Sequence, residues 1–153
     1  MLDAVARDPH AWLGPDAAQW TSVVAERAQR ASAALIGAPL TPPTDVPAAL
    51  EAAARLFDAT LFFEVHELLE PQWLAARGEA REALQGLIQI AVAWQHLANG
   101  NIAGARSLLA DGAARLHGRA LEGIALDGFA RAALEAVHAL PRATRPAFPR
   151  RPR

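Results

Sequence analysis

Between Phe62 and Trp73 the chain reads FFEVHELLEPQW, and the side chains able to do chemistry concentrate there. Glu64, Glu67 and Glu70 recur every three residues, while His66, Glu70 and Trp73 fall at i, i+4 and i+7. On an α-helix the second set shares one face. A neutral imidazole beside carboxylates is a donor set for a divalent metal, zinc or manganese being the natural occupants. The same groups could instead form a buried, fully satisfied network, with a glutamate orienting the imidazole and the indole N–H finding an oxygen. The string HELLE (66–70) invites comparison with zinc proteases, but its third ligand would be a glutamate and no downstream signature follows.

A second stripe lies further along. Gln85, Gln89 and His96 are spaced i, i+4 and i+11 in the segment 79–99. If the chain reverses near residue 78, Gln89 comes level with Glu67 and Glu70. His96 then lies about five residues beyond the level of His66, roughly 7.5 Å along the axis at the helical rise. The expected site is therefore His66, Glu67, Glu70 and Trp73, completed by Gln89 or, at longer reach, His96. Glu67 is the candidate base.

FEVHELLEPQW followed by LQGLIQIAVAWQHLANGNIAGA (84–105) resembles the prokaryotic family called domain of unknown function 309. The motif of that family is a histidine, three residues, a glutamate, two residues and a tryptophan. His66, Glu70 and Trp73 match it position for position, and QGLIQ and GN followed by GA are similar to the rest of the pattern. The resemblance covers about residues 50–117. It implies a helical fold and a metal-binding role for the motif.

The elements that must hold these residues are helices. Apolar residues at Trp20, Val24, Ala28, Ala31 and Leu35 follow a 3.6 period from about Pro15 to Gly37. GAPLTPPTDVP is a proline-rich connector, after which Thr44 or Asp45 caps a helix whose Leu50, Ala53, Ala54 and Phe57 point one way. A break at DAT leads into a helix from about Leu61 to Ala76, then others over about 79–99, from Asn101 to about His117, and from Asp127 to Pro141. Pro71 removes a backbone donor and crowds the carbonyl of Glu67, which predicts a kink or brief break at Glu70. Gly86, Gly104 and Gly112 lie inside helices, and close helix–helix approach is the expected compensation. No strand and no glycine-rich phosphate loop is evident. Short links predict antiparallel neighbours, so the fold class is an all-α, single-domain antiparallel bundle of about five to six helices. Its parts are an N-terminal helix and connector (1–45), a core bundle (46–140) and an Arg/Pro-rich tail (141–153).

Composition narrows the function. Cysteine is absent, which excludes disulfides and thiolate metal sites. The N-terminus carries Asp3, Arg7 and Asp8 where a signal peptide needs an apolar run, and the longest apolar stretch is too short to span a bilayer. A cytoplasmic protein without membrane attachment is expected. All fifteen basic residues are arginine, and five stand in the tail from Pro141. That tail could reach nucleic acid, although the acidic body offers it an internal partner. Three functional classes follow: a metal-dependent enzyme, most plausibly a hydrolase, with His66 and Glu70 as ligands; a helical interaction module binding a protein, a second copy included; and a nucleic-acid accessory protein acting through the tail.

Overall fold

The computed structural model describes residues 21–37, 43 and 45–151. The chain divides into two compact units, 1–39 and 40–153. The first contains helix α1 (Thr21–Ala34), with Ala28 and Ala31 buried, and a turn ending at Gly37, where φ is +81°. The expected start at Pro15 and the side chain of Trp20 lie outside the described residues.

The second unit is the antiparallel bundle. Its helices are α2 (Val46–Asp58), α3 (Phe62–Ala75), α4 (Gly78–Ala98), α5 (Ile102–Leu116) and α6 (Asp127–Ala139). Each packs on its neighbour in sequence, α4 against both α3 and α5, and α6 against α5. The Asp45 carboxylate accepts from the Ala48 N–H at 2.8 Å and caps α2, whose Leu50, Ala53, Ala54 and Phe57 are buried as their spacing predicts. Asn101 does the same for α5, accepting from the Gly104 N–H at 2.9 Å.

Two helix ends solve one problem with different residues. After α4 the Asn101 N–H reaches the His96 carbonyl and the Gly100 N–H reaches that of Leu97, with Gly100 at φ +77°. After α2 the Leu61 N–H reaches Leu56 and the Thr60 N–H reaches Phe57, with Thr60 at φ +61°. Both are the paired-bond termination that needs a left-handed residue. Glycine adopts it freely, whereas a β-branched threonine does so under strain.

Three local expectations are corrected. Of the kink or brief break expected at Glu70, the break is absent: helix α3 runs on through Pro71. Pro71 and Glu67 both lie on the exposed side, where water can solvate a carbonyl that loses its N–H donor, so no break is required. A strand pair does exist: Ala120–Leu121 (β1) pairs antiparallel with Ile124–Ala125 (β2) around Glu122 and Gly123, both at positive φ. Two residues at positive φ make the tight hairpin turn whose twist suits antiparallel strands, but strands of two residues carry no periodicity to read. Gly104 does not serve helix–helix approach. An added Cβ there would stand 2.6 Å from the Asn101 side chain, so this glycine leaves room for the cap.

The core is closed by an aromatic cluster that draws on distant parts of the chain. The Phe57 ring meets Phe62 at 5.2 Å, Phe129 at 6.1 Å and Phe148 at 5.2 Å. Phe148 belongs to the arginine-rich tail and is 1% exposed. Around it Arg145 stacks on Phe57 and Phe62, Arg150 pairs with Asp58 at 2.6 Å, and Arg151 approaches Glu122 at 4.0 Å. The tail is thus anchored to the body by one buried ring and the cations beside it.

Candidate metal centre

Helix α3 buries Phe62, Val65 and Leu69 and exposes Phe63, Glu67, Pro71 and Leu74. His66, Glu70 and Trp73 occupy the border between these stripes and are half-buried. The 3.6-residue period places them there: with Val65 and Leu69 facing the core, the next positions along the chain are turned partly outward. The site is therefore a surface feature and not an inward-facing one. No polar or charged residue is fully buried among the described residues, which overturns the alternative of a buried, satisfied network.

Three ligand atoms converge on this border. One each from His66, Glu67 and Glu70 lie within 4.8 Å of one another. His66 Nδ1 stands 3.4 Å from Glu67 Oε1, with side-chain exposures of 32% and 53%. Two ligands about 2.0–2.2 Å from a tetrahedral ion are roughly 3.3–3.6 Å apart, so this pair already has the spacing of neighbours in one coordination shell. Two carboxylates and an imidazole on a half-exposed face fit zinc or manganese, and they leave room for solvent ligands.

The remaining expected partners lie elsewhere. Trp73 is adjacent, but its indole N–H is buried without a hydrogen-bond partner and finds no oxygen. Its ring carries the Arg81 guanidinium at 4.2 Å, and Arg81 also donates to the Trp73 carbonyl at 2.8 Å. Gln89 makes no hydrogen bond to His66, Glu67 or Glu70, and its Oε1 is buried without a partner. It lines a recess between α4 and α5. The assumed reversal near residue 78 leaves open the rotation about the α4 axis, which turns Gln89 toward α5. His96 sits at the end of α4, its Nδ1 2.9 Å from Asn101 Nδ2. Because Asn101 Oδ1 accepts from the Gly104 N–H, its amide NH2 faces the imidazole and His96 Nδ1 accepts. His96 thereby orients the α5 cap.

Two neighbours of the site were not foreseen. Phe63 presents its ring edge-on to His66 at a centroid distance of 6.3 Å, and Arg81 covers Trp73. Phe63 sits at i−3 from His66 and was legible from helical spacing. Arg81 comes from across the α3–α4 turn, where same-helix spacing carries no signal.

Residues 50–108 match the model of the family described as Domain of unknown function (DUF309). That span takes in FFEVHELLEPQW whole and the glutamine-rich stretch of α4, so the family resemblance is matched over this part of the chain. No curated protein and no solved structure matches the chain.

Proposed function

We propose that this protein binds a divalent cation, zinc or manganese, through His66, Glu67 and Glu70. The observation that supports this is the convergence of their ligand atoms within 4.8 Å on a half-exposed helical face. An imidazole nitrogen and two carboxylate oxygens would hold the ion. When bound, it would supply Lewis acidity at a surface open to small molecules. His66 contributes the borderline-soft donor, the two glutamates offset the charge of the cation, and Phe63 and Trp73 flank the group. A hydrolase would need a base beside the ion. Glu67 lies among the ligand atoms themselves, which favours a holding role for it over proton transfer.

Thermal melts of tag-free protein titrated with zinc or manganese test this directly. Binding to the folded state should raise Tm progressively with free metal, by the equivalent of about 2.7 kcal/mol at a hundredfold excess over Kd. His66→Ala and Glu70→Gln should each abolish the gain, and Gln85→Ala should retain it. Melting that is indifferent to both metals retires the proposal.

A further inference from the structure

The outward face of α3 is apolar at both ends and acidic between them. Phe63 and Leu74 are 53% and 56% exposed. Spaced i and i+11, they share one stripe with the exposed Glu67 and Pro71 and the half-buried Glu70. Helices α2 and α4 pack against the buried side of α3, so the bundle leaves this stripe to solvent.

The stripe is symmetric in the character of its residues. Phe63 and Leu74 stand equally far from the midpoint between Glu67 and Glu70. A second copy of α3 laid antiparallel on it would set Phe63 against Leu74 twice and Glu67 against Glu70 twice, about a two-fold axis. Such a face is self-complementary, as a closed contact between identical chains requires. The matched span is roughly 16.5 Å long at the helical rise, about three turns. Its apolar part alone would not hold two copies together. Two large side chains per copy, each already about half covered, fall short of the roughly 800 Å² per partner that a stable interface buries. Carboxylates from both copies would also crowd the axis, and α3 itself carries no basic residue except His66 to offset them. A divalent ion at each His66–Glu67–Glu70 group reverses both terms. Zinc in a closed site takes four protein ligands and each copy offers three, which leaves one position for a carboxylate of the facing helix.

We propose that the cation centre is the seam of a homodimer. Helix α3 packs antiparallel on α3 of a second copy, and each ion held by His66, Glu67 and Glu70 takes a glutamate of that copy as its fourth ligand. Phe63 and Leu74 close the two ends of the seam. This assembly rests on the cation reading of the same three residues and makes it the condition for association: stripped protein is monomeric, loaded protein is paired.

The test is sedimentation and light scattering of the tag-free full chain, stripped with EDTA and then loaded with zinc, beside thermal melts of the same samples. A monomer is expected in EDTA. Loading should give a closed dimer holding one zinc per copy, with a dimer Kd on the order of micromolar, and renewed EDTA should return the monomer. Leu74→Ser should weaken the loaded dimer at least about tenfold, while zinc still raises the Tm of the variant. His66→Ala should lose the zinc response and the dimer together. Leu134→Ser, at an exposed apolar position of α6, should change neither. A zinc response in a protein that stays monomeric would overturn the dimer and leave the cation centre standing, whereas melting indifferent to zinc would remove both. A dimer that persists in EDTA, resists Leu74→Ser or falls equally in Leu134→Ser uses another face, and overturns the proposal. So do open-ended aggregates that grow with zinc, the mark of adventitious cross-linking.

Discussion

Gly86 on α4 and Gly112 on α5 face each other so closely that a Cβ on either would stand 2.9 Å from the carbonyl oxygen of the other. This approach sets the spacing of the most extensively packed helix pair, and it explains why two glycines are kept inside helices. Each costs about 1 kcal/mol of helix propensity against alanine. Gly86→Ala and Gly112→Ala should nevertheless destabilise by about 1–3 kcal/mol through overpacking, because the opposing atoms are backbone and cannot swing away. Gly128 supplies the control: nothing lies within 4 Å of an added Cβ, so Gly128→Ala should stabilise by roughly 0.5–1 kcal/mol. Urea denaturation midpoints of the three variants measure both signs. Destabilisation by all three would remove the steric explanation.

Thr60 and Gly100 terminate their helices with the same pair of backbone bonds. The left-handed conformation costs a residue with a Cβ about 1–2 kcal/mol, part of which is offset by the greater unfolded-state freedom of glycine. Thr60→Gly should therefore stabilise the protein by about 0.5–1 kcal/mol, and Gly100→Ala should destabilise it by a similar amount. Chemical denaturation of the pair decides the matter, and a loss of stability in Thr60→Gly would mean that its hydroxyl matters more than its backbone.

Phe148 is nearly inaccessible to solvent and touches Phe57 and Phe129, at 5.2 and 5.5 Å between centroids. Phe148→Ala should cost about 3–5 kcal/mol, the usual loss for a buried aromatic. Arg150→Ala removes only a half-exposed ion pair with Asp58 and should cost less than about 1 kcal/mol. Calorimetry of both variants separates a tail held by its ring from one held by its charges. The charge-held alternative predicts the opposite order, with strong salt dependence.

The cluster at His66 makes a further prediction in the absence of metal. A buried charged pair broken by His66→Ala would cost about 3–5 kcal/mol. Here His66 and Glu67 are 32% and 53% exposed, so the metal-free variant should lose less than about 1 kcal/mol. Melting of chelator-treated wild type and variant gives the difference, and a large loss would restore the buried-network reading.

Local chemistry determined much of this protein. Asp45 and Asn101 as caps, and the shared face of His66, Glu70 and Trp73, all depend on residues within a few positions of one another. Such relationships follow from helical period and backbone capping, which the sequence carries by itself. The tertiary structure decided what depends on rotation and on distant partners. Same-helix spacing could not tell that α4 turns Gln89 toward α5, since neighbouring helices constrain that angle together. Nor could it show Arg81 reaching back onto Trp73, or Phe148 joining an aromatic core from the far end of the chain. Those contacts exist only once packing has fixed which faces meet, because the apolar stripe of a helix specifies that it will be covered but not by what.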